Sequence, residues 1–186
     1  MNAGARPARE DRFAGSLVGQ ALADALGCPI EGREAADCAK YVDHLRAGEA
    51  GYRRRGAYPF GQYTDDTQLA RELLTSVVER GCFDPADYAA RIAALFAERR
   101  VVGYGSATED AAWRLENGVP WDQAGTPAPS AGNGSAMRAA PIGLLFDDDD
   151  RLVQAAYDQG RITHADPRSS AGCVAIAVAT ARAASA

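Results

Sequence analysis

Thr64-Asp65-Asp66-Thr67 sets two carboxylates between two hydroxyls in four consecutive positions. Two kinds of chemistry suit that spacing. As a helix start, Thr64 would accept a hydrogen bond from a free N–H of the first turn, and Asp65 and Asp66 would sit at the positive end of the helix dipole. As a cation site, the same hard oxygens suit Mg²⁺, Mn²⁺ or Ca²⁺ and offer nothing soft to zinc.

Other groups along the chain bear on that choice. Asp24 falls inside an otherwise apolar helical pattern, as a hydrogen-bonded buried acid or as a ligand. Glu31 stands in Pro29-Ile30-Glu31-Gly32, a loop that can expose an acid or carry a mobile ligand. Gly103, Tyr104 and Gly105 form a Gly-bearing loop ahead of another helix. Gly132-Asn133-Gly134-Ser135-Ala136-Met137-Arg138 reads as a turn, or as exposed N–H groups at a helix start that cradle phosphate or ribose oxygens. Arg138 would pair with a phosphate or with a carboxylate of the protein. His164, in a polar loop, could ligate, donate to a phosphate or bond a neighbouring carbonyl. The Arg53-Arg54-Arg55 run and the four acids Asp147 to Asp150 read first as solvated charge, and Trp113 as packing.

The elements that must position these groups are helical. Apolar residues recur at helical spacing from near Arg12 to Leu26, around Ala35–Ala47, from Asp66 to Arg80, from Pro85 to Phe96, and around Ala111–Leu115. Gly27, Pro29 and Gly81 supply stops, and Asp84-Pro85 a start. A stretch from Asn117 to Gly132 reads as a long surface loop, and a helix is expected over Arg151–Tyr157. The segment from Ser169 onward is apolar on nearly every side and is expected to be buried all round. No alternating pattern suggests a strand, so the expectation is an all-α bundle of about seven to nine helices. Residues 1–11 read as a flexible N-terminal tail and 12–186 as one compact domain.

Composition sets outer bounds. The 186 residues, 47% of them hydrophobic, suffice for a globular core. A formal charge of −5 argues against a general nucleic-acid binder. Cys28, Cys38, Cys82 and Cys173 form no CxxC pair, which with two histidines excludes a zinc framework and suits a reducing, cytoplasmic setting. No apolar run is expected to reach transmembrane length.

Taken in order, the first helix with Glu31, the TDDT run, the Gly132–Arg138 run and Thr163-His164 together resemble the ADP-ribosylglycohydrolase family, of the dinitrogen-reductase-activating type. The resemblance implies an orthogonal all-α bundle, two Mg²⁺ or Mn²⁺ ions, and hydrolysis of ADP-ribose from a protein side chain or a related N- or O-linked conjugate. It implies Thr64, Asp65, Asp66 and Glu31 as metal ligands, with Glu31, Asp65 and Asp66 catalytic. Gly103, Tyr104, Gly105, Asn133, Gly134, Ser135, Met137 and His164 would line the ligand groove, and Asp24 matches an aspartate of the family's first helix. The family's further Asp-rich DTD motif has no counterpart after His164, so the C-terminal third of the domain is expected to be missing, and activity impaired. The alternative is a non-catalytic ADP-ribose-binding or interaction module that needs a complementing chain or self-associates through its apolar last helix.

Overall fold

The computed structural model describes residues 8–49 and 58–185; the Arg53–Arg55 run and residues 1–7 of the expected tail lie outside them. The described residues form eight α-helices: α1 (Arg9–Gly27), α2 (Ala35–Arg46), α3 (Asp65–Arg80), α4 (Pro85–Ala97), α5 (Ser106–Glu116), α6 (Ala140–Leu145), α7 (Asp149–Arg161) and α8 (Pro167–Ser185). Short 3₁₀ turns follow α1 (Cys28–Ile30) and precede α6 (Asn133–Ser135). No strand occurs among the described residues, and the all-α expectation holds.

Helix ends follow local chemistry. Asp84 caps α4 by accepting from the N–H groups of Ala86 and Asp87, and Pro85 takes the first helical position. Gly81 closes α3 in the left-handed conformation at φ 73°. Asp148 accepts from the N–H of Arg151 and starts α7, so the four-acid run is partly a cap and partly exposed charge.

Leu69 and Leu73 of α3, Tyr88, Ile92 and Leu95 of α4, Ala112 of α5, Ile142 of α6, Leu152 and Ala156 of α7, and Cys173 and Ala177 of α8 pack into one core. Each buried leucine or isoleucine contributes about 1.5–3 kcal/mol relative to exposure. Tyr88 also donates its hydroxyl to the carbonyl of Leu69, tying α4 to α3.

Several sequence expectations need correction. α8 is not buried all round: it seats Ser169, Cys173 and Ala177 on α6 and α7, and Ile176 on another side is 43% exposed. Its alanines supply little side-chain area, so the mean apolarity of the segment overstates how much it buries. Trp113 is 65% exposed and is not a packing residue. α1 begins at Arg9, inside the stretch expected to be a tail. The run Arg9–Ile30 is, by length and composition, long and apolar enough to cross a membrane; in this fold, Gln20 and Asp24 within it are hydrogen-bonded to other elements. The stretch from Asn117 to Gly132 is not wholly on the surface. Ala124 and Gly125 are buried, the N–H of Thr126 donates to the carbonyl of Thr163, and the N–H of Ala165 donates to that of Thr126. This local parallel bridge fixes the segment carrying His164.

The α6–α8 crossing depends on Gly143. A Cβ there would meet the carbonyl oxygen of Ala177, with Thr180 Cβ at 2.9 Å and Ala181 N at 3.0 Å. Backbone cannot yield as a flexible side chain can. Gly143→Ala is therefore expected to lower stability by about 1–3 kcal/mol, read as a lower urea midpoint at unchanged slope. A loss below about 0.5 kcal/mol, the scale of ordinary surface substitutions, would contradict this packing.

Candidate functional site

The first turn of α3 is held from outside. Thr64 occupies the N-cap position but its side chain does not cap the helix. Asp24 of α1 does so instead. Its Oδ2 accepts from the Thr64 N–H at 2.8 Å, the Thr67 N–H at 3.2 Å and the Thr67 hydroxyl at 2.6 Å. Its Oδ1 accepts from the Thr64 hydroxyl at 2.7 Å. Gln20, one turn earlier on α1, donates to the carbonyl of Asp66 at 3.1 Å and to that of Met137 at 3.0 Å. One glutamine thus joins the acidic helix start to the loop containing Asn133.

The other flank is stitched by the segment before α5. The Asp65 N–H donates to the Val102 carbonyl at 2.8 Å. Gln68 donates to the Arg100 carbonyl at 2.7 Å and accepts from the Val102 N–H at 2.8 Å. Gly103 is required here twice over. Its φ is +79°, and a Cβ would lie 3.2 Å from Thr64 Cβ and Cγ2. Tyr104 rests edge-on against Phe96, ring centres 5.1 Å apart.

Asp65 and Asp66 consequently sit close together in poor contact with water. Burial, with Asp66, Glu31 and Asp24 nearby, pushes the Asp65 carboxyl up to about 7. Burial also raises Asp66, with Asp24 and Glu31 adding to the effect and the Thr64 hydroxyl opposing it. No Lys or Arg forms an ion pair with Asp24, Asp65 or Asp66 among the described residues. A group of carboxylates that resists its own ionisation in this way is suited to a divalent cation, which would reverse the repulsion.

Thr64, Asp65 and Asp66 are hard oxygen donors of the kind such a cation takes. No three His, Cys, Asp or Glu side chains among the described residues converge as a full cation-binding cluster. The residues present therefore fit part of a hard-cation site.

A cleft of about 380 Å³ brings the remaining residues to these acids. Glu31, Asp65, Asp66, Gly103, Tyr104, Gly105, Asn133, Gly134, Met137 and His164 all line it. Thr64 opens instead on an adjoining hollow shared with Gln20, Asp24, Glu31, Asp66 and Asn133. Three sequence expectations depart from this picture. Ser135 is wholly buried and donates to the Ser169 carbonyl at 3.0 Å, so its hydroxyl is committed to the fold. Arg138 meets neither a phosphate-sized opening nor a carboxylate; it is buried against Gln159 and Thr163. His164 is 2% exposed, and its bond is with the Thr163 hydroxyl at 2.9 Å, not with a carbonyl. Burial, reinforced by the Arg138 charge, lowers its pKa to about 4.

The organisers that sequence reasoning missed are Gln20, Gln68 and Gln159, and the holding roles of Thr67 and Thr163, noticed there only as parts of their motifs. One signal was present. Gln20 and Asp24 are four apart on α1 and share a face.

The chain belongs to the ADP-ribosylglycohydrolase family, whose model matches residues 5–186. It is 32% identical over 176 residues to ADP-ribosyl-[dinitrogen reductase] glycohydrolase of Rhodospirillum rubrum, covering 91% of this chain and 57% of that protein. It is 31% identical over 180 residues to ADP-ribosylhydrolase ARH3 of Homo sapiens, covering 90% of this chain and 48% of that protein. A solved structure, an ADP-ribosylglycohydrolase-related protein complex, superposes with a TM-score of 0.70 at 29% identity over 95% of this chain and 57% of its own. The chain spans about half the length of the curated relatives it matches.

Proposed function

We propose that this chain supplies the ADP-ribose cleft and part of the metal site of an enzyme that hydrolyses ADP-ribosyl conjugates with Mg²⁺ or Mn²⁺. The observation that carries the reading is the convergence of Glu31, Asp65, Asp66, the Gly103–Gly105 loop, Asn133, Gly134 and His164 on one cleft from distant parts of the chain. Its volume of about 380 Å³ falls in the range of small-molecule sites.

Ribosyl glycosidic bonds break through an oxocarbenium-like state, so the site must hold the ribose and deliver water to the anomeric carbon. A bound divalent cation supplies a polarised, more acidic water and a grip on ribose hydroxyls. Thr64, Asp65 and Asp66 would contribute oxygen donors to hold it, and a cation there would offset the burial and mutual repulsion that raise Asp65 and Asp66. Glu31, exposed at the rim, would be the carboxylate placed to take up a proton from an attacking water. The turn at Gly132–Gly134 lets ligand oxygens approach backbone closely, and His164 offers a ring N–H there.

The partial donor set gives weight to a second reading, a module that binds ADP-ribose without cleaving it. One experiment separates them. ADP-ribosyl-arginine is incubated with the protein in Mg²⁺, in Mn²⁺ and in chelator, and free ADP-ribose is measured alongside ADP-ribose binding by calorimetry. Metal-dependent release supports the hydrolase. Binding without release in any metal supports the module, and neither binding nor release overturns both.

A further inference from the structure

Arg138 is the largest wholly buried side chain of the described residues, and no carboxylate pairs with it among them. Its Nε donates to Gln159 Oε1 at 2.9 Å, and its Nη2 donates to the Gln159 carbonyl at 2.9 Å and to Thr163 Oγ1 at 2.8 Å. The guanidinium carbon lies 5.6 Å from the centre of the Tyr88 ring, and Nη1 has no hydrogen-bond partner. Burying a cation without its counter-ion is costly, so packing alone is a poor reason for this residue.

The hydrogen-bond arithmetic leads from Arg138 to the cleft. A guanidinium only donates, so Thr163 Oγ1 accepts from it. Thr163 is wholly buried, and the acceptor within reach of its one hydroxyl hydrogen is His164 Nδ1, 2.9 Å away. Leaving that hydrogen unpaired would cost its full desolvation. The hydroxyl therefore donates to Nδ1, and the neutral ring carries its hydrogen on Nε2. That nitrogen faces the glycine turn: a Cβ on Gly132 would lie 3.2 Å from it and one on Gly134 3.0 Å. Both glycines line the cleft.

We infer that Arg138 and Thr163 are positioning residues that lock His164 into the Nε2–H tautomer, as a neutral donor to a ligand oxygen at the Gly132–Gly134 edge. Arg138 lies behind the ring through Thr163, Asp65, Asp66 and Glu31 line the same cleft, and Asp166, two residues on, is engaged by Arg168. A neutral donor is drawn to a diphosphate or ribose oxygen without adding a charge that would compete with a cation for the acids. The identity of that oxygen rests on the ADP-ribose reading; the tautomer does not.

The test uses the chain with ¹⁵N-labelled histidine. It has two histidines, His44 and His164, so His44→Gln assigns the spectrum. Long-range ¹H–¹⁵N correlation is expected to show His164 with hydrogen on Nε2. Thr163→Val is expected to lose that single tautomer and to weaken ADP-ribose binding about tenfold at an unchanged circular dichroism spectrum, and Thr163→Ser to restore both. Hydrogen on Nδ1 in the native chain, or an unchanged tautomer in Thr163→Val, overturns the inference. Should Thr163→Val fail to fold, the native spectrum and Thr163→Ser decide. An Nε2–H tautomer without any ADP-ribose binding supports the relay and overturns the functional reading instead.

Discussion

Asp24→Ala is expected to cost about 3 kcal/mol of stability, the largest loss from any single polar group at the site. The carboxylate accepts four hydrogen bonds from Thr64 and Thr67, two of them from free N–H groups of the first turn of α3. An ordinary cap is worth about 0.5–2 kcal/mol, and hydrogen bonds to a charged group about 1.5–3 kcal/mol each without adding fully. Removal also relieves repulsion on Asp66, for which Asp24 is the leading charge, and this offsets part of the loss. Asp24→Asn should fall between the two, since one carboxylate oxygen becomes an amide that cannot accept. Urea midpoints of the three proteins in chelator give the comparison. If Asp24→Ala lost under about 1 kcal/mol, less than a single good cap, α1 would not be the element holding the TDDT turn.

Asp65→Asn is expected to do the opposite in the metal-free protein. The folded state raises the Asp65 carboxyl from 3.8 to about 7. Folded protein then binds the proton more tightly than unfolded protein, so its stability is greatest below the unfolded value and falls as pH rises through the folded one. Asparagine cannot ionise and escapes that fall. At 1.36 kcal/mol per pH unit, the variant should gain on the order of 2–4 kcal/mol over the native chain at pH 8 and nothing at pH 3. Urea unfolding between these pH values, in chelator, measures the gap. Adding Mg²⁺ or Mn²⁺ should stabilise the native chain and leave Asp65→Asn unmoved. Parallel pH profiles, or equal metal responses, would remove Asp65 from the cation site. The two substitutions give the acids different roles, since Asp24 holds the turn and Asp65 is kept in it at a cost.

Much of this was legible in the sequence. The Asp84-Pro85 start and the Gly81 stop are local decisions, made by a side chain a few residues from the backbone it serves. Leu69, Leu73, Ile92 and Leu95 lie where helical spacing puts them. By residue type alone the acids, the glycine turn and His164 each had an ordinary structural reading, and it was their order along the chain, resembling one family's motifs, that joined them into a site. What misled was average apolarity. The last helix reads as fully buried because alanine, glycine and valine score as apolar, yet only Ser169, Cys173 and Ala177 are enclosed. Trp113 and Leu22 likewise belong to helices whose other faces pack, and both are exposed.

By itself the sequence determined the helices, the family and the chemical types gathered at the cleft, since each depends on short-range periodicity, caps or recurring motifs. Only the tertiary structure decided what those groups do to one another. Thr64 looked like the cap of its own helix, and Asp24, 40 positions away, takes that role. Arg138 read as a partner for a phosphate or for a carboxylate of the protein, and it is buried on Gln159 and Thr163 instead. The reason is physical: a hydrogen bond or a raised pKa belongs to a pair of groups and the water excluded between them. The chain spells out the groups, and folding alone sets the distances.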